Sequence, residues 1–150
     1  LIPVDNYIGT KLVRYGWGGS FGVTQVARLF RKGVKTWGLQ RVHPHIDLKG
    51  QKGTKLKNPI LHYVDKNISE MIERLNRYTS NKALDIIENP SPKETLRHNL
   101  LRFGGRFYKC YWRKKGYKEG KWGFLLALMA GLYPLLSYLK ATLEPPQRNE

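Results

Sequence analysis

His43-Pro44-His45-Ile46-Asp47 gathers two imidazoles and a carboxylate in one short run. An imidazole titrates near neutrality and can serve as acid or base at cellular pH. In an extended strand, alternation puts His43, His45 and Asp47 on one face, provided Pro44 leaves the strand intact. The same histidines also suit hydrogen bonding within a loop. As a metal pair they lack a third ligand at metal-site spacing. Arg28 and Arg31 flank Leu29-Phe30 and point to opposite faces of a strand. One of them can then grip a diphosphate through a bidentate contact, with a solvated strand face as the alternative. Trp17 and Trp37 offer rings that stack on a sugar or fill a core. Cys110 has the basic neighbours Lys109 and Arg113 to Lys115, which favour a thiolate. It has no accompanying His or Asp motif and reads as structural; as the one cysteine, it excludes an internal disulfide.

The elements that must position these groups fall into zones. Residues 1–66 are rich in Gly, β-branched and aromatic residues. Lys11 to Tyr15, Gln25 to Phe30, Val34 to Trp37 and Ile60 to Val64 read as strands between glycine turns. Residues 67–118 begin with apolar positions at helical spacing, from Ile68 and Met71 to Ile86 and Ile87. Asn67 caps that helix with Glu70 three residues on, Glu70–Arg74 and Glu73–Arg77 are i,i+4 pairs, and Asn89-Pro90 stops it. Ser91-Pro92 reads as the cap and first position of a second helix, weakened by Gly104-Gly105. Residues 119–144 carry an uncharged run, Trp122 to Leu139, and residues 145–150 are a polar tail.

The charge balance narrows the partner. There are 27 Lys+Arg against 11 Asp+Glu, a formal charge of +16. That excess calls for an anionic partner: nucleic acid, a membrane surface or a phosphorylated substrate. Between Arg97 and Lys121 basic residues alternate with Phe103, Phe107, Tyr108, Tyr111, Trp112 and Tyr117. Such a mixture binds single strands by stacking, or sits at a headgroup layer. The apolar run directly behind it favours the anionic membrane surface over nucleic acid. Arg113, Lys114, Lys115, Trp122 and Phe124 are the expected membrane-binding residues. As a helix the run is about 27 Å long, enough to span a bilayer or to lie in its interface.

Taken in order, Gly16-Trp17, Arg28-Leu29-Phe30-Arg31-Lys32-Gly33, Trp37, Arg41-Val42-His43, Gly50, Gly53 and Leu61-His62-Tyr63 resemble the second half of a bacterial family 2 glycosyltransferase of the GT-A fold. The subgroup they resemble builds lipopolysaccharide core and other surface glycans. Leu75-Asn76-Arg77-Tyr78-Thr79 and the basic, aromatic, apolar C-terminus resemble it too. The resemblance implies an α/β fold: the C-terminal half of a GT-A domain over 1–66, then amphipathic helices, then a membrane-associated helix. It implies transfer of a sugar from a nucleotide sugar to a lipid-linked or lipopolysaccharide acceptor. The place of that work is the cytoplasmic face of the inner membrane, with the chain peripheral or crossing once. Gly16, Trp17, Arg28, Arg31, Trp37 and His62 would then contact substrate. The family's acceptor base is a carboxylate in a His-Glu segment, whose position falls here on Pro44. His43, His45 or Asp47 would take its place as the catalytic group.

Family members hold a divalent cation, Mg or Mn, through an Asp-x-Asp motif in an N-terminal half. Asp5, Asp47, Asp65 and Asp85 stand apart in this sequence. The expectation is that this chain alone binds no cofactor and that a missing N-terminal half supplies the donor site. The opening Leu1-Ile2-Pro3 fits a partial product. Two alternatives remain: a non-catalytic membrane-interface or partner-binding subunit, and a basic nucleic-acid-binding protein. The second predicts affinity that falls steeply with salt.

Overall fold

The structure, a computed structural model, describes residues 1–18, 22–38, 46–51 and 53–144. Strand β1 (Ile2–Ile8) is the centre of a four-stranded sheet. A turn with Gly9 at φ +56° leads into β2 (Lys11–Val13), which returns antiparallel with Asn6 opposite Val13. β3 (Gln25–Val26) pairs antiparallel with the start of β1. The expected strand from Gln25 to Phe30 is therefore two residues long, and Arg28 to Arg31 lie outside any ladder. β4 (Lys35–Trp37) and β5 (Ile46–Leu48) form a separate antiparallel ribbon. β6 (Ile60–Asp65) runs parallel to the other edge of β1.

Helix α1 (Ile68–Glu88) starts as its sequence dictates. The Asn67 side chain accepts a hydrogen bond from Glu70 N at 2.9 Å. The Glu70 carboxylate reaches one residue further back than a capping box would, to Lys66 N at 2.7 Å. Arg74, expected to pair with Glu70, pairs with the buried Asp65 at 2.7 Å and ties α1 to the end of β6. Burial pushes the Asp65 carboxyl up more than Arg74 pulls it down.

The second helix begins later than Ser91. Pro92-Lys93 form a turn closed by Glu94 N to Ser91 O, and Thr95 caps α2 (Leu96–Tyr108) by accepting from His98 N. Proline suits either place; the Thr95 hydroxyl wins by satisfying a helical N–H. Gly104 and Gly105 do not interrupt α2. One π turn (Lys109–Arg113) and one 3-10 turn (Gly116–Glu119) follow, the latter flanked by Lys115 and Gly120 at φ +58°. They lead into α3 (Lys121–Leu143).

Helix α3 packs on both α1 and α2. Its buried positions include Leu126, Ala127, Met129, Ala130 and Tyr133, which join Ile8, Val13, Trp17, Met71, Leu75 and Cys110 in one core. The zones seen in sequence therefore share a single core. Gly131 permits close approach to α2: a Cβ there would stand 3.0 Å from the Phe103 carbonyl oxygen. Pro134 removes one backbone donor but stays inside α3. At the far end, Lys140 Nζ donates to Asn76 Oδ1 (2.6 Å) and Ser80 Oγ (2.8 Å). In Leu75 to Thr79, then, Leu75 and Thr79 are buried and Asn76 clasps α3.

Candidate functional site

Helix α2 turns Phe103 and Phe107 toward α3 and the core, yet much of its remaining apolar surface faces outward. Its fully buried residue is polar: Asn99 donates to Glu94 Oε2 at 2.9 Å and accepts from Arg102, which also binds Glu94. Its leucines point outward; Leu96 and Leu100 are about half exposed and Leu101 is 67 % exposed. A buried polar network with apolar side chains left in solvent is the informative combination on a protein surface.

The apolar face continues past α2. Tyr108 and Trp112 stack at 5.6 Å, and Tyr111 meets Trp112 edge-on at 4.8 Å. Phe107 and Tyr111 each meet Phe124 of α3 edge-on. Tyr108, Trp112, Tyr117 and Phe124 are each about half exposed. Arg97, Lys109, Arg113, Lys115, Lys118 and Lys121 of the same stretch are exposed, with Lys118 Nζ over the Tyr15 ring. α3 is long and apolar enough to cross a membrane, and half of that stretch is buried within the protein. It is thus at once a core helix and the backing of the aromatic face.

The expected membrane-binding residues divide. Arg113, Lys115 and Phe124 lie at this face. Trp122 packs against the core. Lys114 turns inward and donates from Nζ to Trp17 O at 2.6 Å, so it serves the joint between sheet and helices.

No local pattern in the sequence marks that joint. Gly16 (φ +81°) sits where a Cβ would stand 3.1 Å from Gly116 Cα, and its N–H bonds Lys114 O at 3.0 Å. A Cβ on Gly123 would overlap the Gly116 carbonyl. Glu119 Oε1 accepts from both Arg14 N and Tyr15 N. Glu119 is the one acid between Arg97 and Lys121, and nothing in the neighbouring residues marks Gly116 and Gly123 as points of contact.

The expected substrate contacts are dispersed. Trp17 is 2 % exposed and donates its indole N–H to Val13 O, so the ring fills the core. Gly16 and Trp17 line the back of a cleft of about 440 Å³ with Arg14, Tyr15, Thr24, Gln25 and Lys114. Arg31 lines a different hollow of about 580 Å³ with Phe30, Leu48 and Lys49, and Arg28 is exposed. Trp37 is 60 % exposed, and Lys35 Nζ lies 3.9 Å from its ring centre. Register puts Trp37 with Ile46 and Thr36 with Asp47. Asp47 therefore projects from the opposite face of the ribbon to Trp37. His62 is exposed on β6, with Nδ1 2.9 Å from Asn6 Oδ1. His43 and His45 lie outside the described residues.

No group of three or more His, Cys, Asp or Glu among the described residues can hold a metal ion. Asp65 is engaged by Arg74 and Asp85 lies beside Lys82. No protein-family model, curated protein or solved structure matches the chain.

Proposed function

We propose that this chain is the acceptor-side, membrane-docking part of a family 2 glycosyltransferase, one that sits in the membrane interface through the face built by α2 and the start of α3. The observation that carries the reading is the outer surface of α2, where Leu96, Leu100 and Leu101 are exposed along with Tyr108 and Trp112 while Asn99 is buried. Leucine side chains enter the acyl boundary, aromatic rings sit at headgroup depth, and the surrounding cations meet anionic lipid at about 1 kcal/mol each. Half of α3 is committed to the core, which favours lying in the interface over crossing it.

The glycosyltransferase part of the reading rests on the ordered motifs from Gly16-Trp17 to Leu75 through Thr79. Under it, the joined sheet and helices would present a lipid-linked or lipopolysaccharide acceptor at the cytoplasmic surface. A separate N-terminal half would hold the nucleotide sugar and its cation. Asp47 or the neighbouring His43 and His45 would take the acceptor proton.

Flotation with vesicles tests the docking directly. The chain should bind phosphatidylcholine vesicles containing phosphatidylglycerol far better than pure phosphatidylcholine. Leu101→Glu should weaken binding by about tenfold or more, since it removes a leucine insertion and adds an opposing charge. Equal binding by Leu101→Glu and the wild type would sink the docking face. Tighter binding to single-stranded nucleic acid than to either vesicle would move the assignment to a nucleic-acid-binding protein. If docking holds but a longer natural chain transfers no sugar, the non-catalytic subunit replaces the enzyme.

A further inference from the structure

Behind the joint lies a small cavity of about 130 Å³, lined by Gly18, Arg106, Lys109, Cys110, Lys114 and Ala130. That is room for about four waters at about 30 Å³ each. Three of the six lining residues are cations and none is an acid. Arg106 Nη1 is buried and has no hydrogen-bond partner among the described residues. Its guanidinium lies 5.4 Å from the Tyr133 ring centre, which fixes its place without satisfying its N–H groups. Lys114 spends one donor on Trp17 O and has two left. Gly18 closes the wall: a Cβ there would stand 3.0 Å from both Cys110 Sγ and Lys114 Nζ. Gly18 and Lys114 also line the 440 Å³ cleft.

Arg106 is half-buried with Nη1 sealed from solvent, and a guanidinium cannot relieve that cost by losing its proton, so it calls for an anion. The nearby Arg102 adds like charge and is already paired with Glu94. Cys110 does not supply the negative charge, because burial pushes its thiol up despite Lys114, Arg106 and Lys109. The protein therefore builds a cationic cavity and leaves the counter-charge to a ligand. A phosphate monoester, with close to two negative charges and three acceptor oxygens, matches such a set of donors.

We propose that this cavity binds a tetrahedral oxyanion of the phosphate monoester class, held by Arg106 and Lys114 with Lys109 beside them. The site does not depend on the glycosyltransferase reading. The phosphate can arrive free or on a lipid headgroup, and one experiment with two arms separates the sources. In the first arm, inorganic phosphate is titrated calorimetrically into the full chain in a maltoside detergent. Saturable one-to-one binding is expected. Arg106→Gln should weaken it about tenfold to a hundredfold, and Lys32→Gln, on the exposed surface, should leave it unchanged. In the second arm, vesicles carry phosphatidic acid or phosphatidylglycerol at matched surface charge. A preference for phosphatidic acid that Arg106→Gln abolishes identifies the headgroup as source. No such preference, with Arg106-dependent binding of inorganic phosphate, identifies the free ion. Absence of saturable phosphate binding overturns the site, as does an equal loss in Arg106→Gln and Lys32→Gln. If Arg106→Gln does not fold, Gly18→Ala, which sets a methyl group against Lys114 Nζ and keeps all three cations, decides. Its affinity should fall, and an unchanged affinity overturns the proposal.

Discussion

Cys110 shows how position outweighs neighbours at the scale of one residue. Lysines and arginines surround it in sequence, which by itself favours a thiolate. In the fold it is 3 % exposed beneath Gly18, and burial raises its pKa from the ordinary thiol value. Iodoacetamide at pH 8 should therefore label native Cys110 far more slowly than the denatured chain, followed by mass spectrometry. Labelling at the same rate in both states would contradict the burial. Trp17 and Trp37 make the same point in opposite directions. Residue type offered both rings to a sugar, yet Trp17 is sealed in the core while Trp37 stands out under Lys35. Alternation in sequence put Asp47 beside two histidines, and the ribbon register added only that it faces away from Trp37.

At the scale of elements, the long helices were legible and their junctions were not. The period of Ile68, Met71, Leu75 and Tyr78 and the cap at Asn67 define α1 almost to the residue, because both are local. The charge-free run after Lys121 defines α3 for the same reason. The α2 start was misplaced by four residues, since Ser91-Pro92 and Thr95 are both good caps and only packing chooses between them. The strand at Gln25 shrank because its pairing depends on the far end of β1, which no local pattern reveals. Glycine roles were the least legible. A Cβ at Gly105 meets nothing within 4 Å, whereas one at Gly123 overlaps the Gly116 carbonyl. Gly105→Ala should therefore raise stability by about 0.5–1 kcal/mol through helix propensity. Gly123→Ala should lower it by about 3 kcal/mol through overpacking at the joint. Urea denaturation of the two variants checks the signs, and a shared sign would refute the packing at Gly123.

At the scale of the whole molecule, sequence and structure divide the work. The surplus of cations, the interleaved aromatics and the apolar run point to a membrane surface from sequence alone. Composition alone did not reveal that α3 would bury half its length and that α2 would carry the exposed leucines instead. Those depend on which faces the core consumes. The proposed docking face lies on the helices, while Leu29, 80 % exposed in the segment after β3, belongs to another surface. An environment-sensitive nitrobenzoxadiazole label on Leu101→Cys, with Cys110 shielded by burial, reads that geometry most directly. On adding anionic vesicles, the label at 101 should shift to the blue and brighten, while the same label on Leu29→Cys should not change. An unchanged label at 101, or an equal response at 29, would contradict the membrane-docking face.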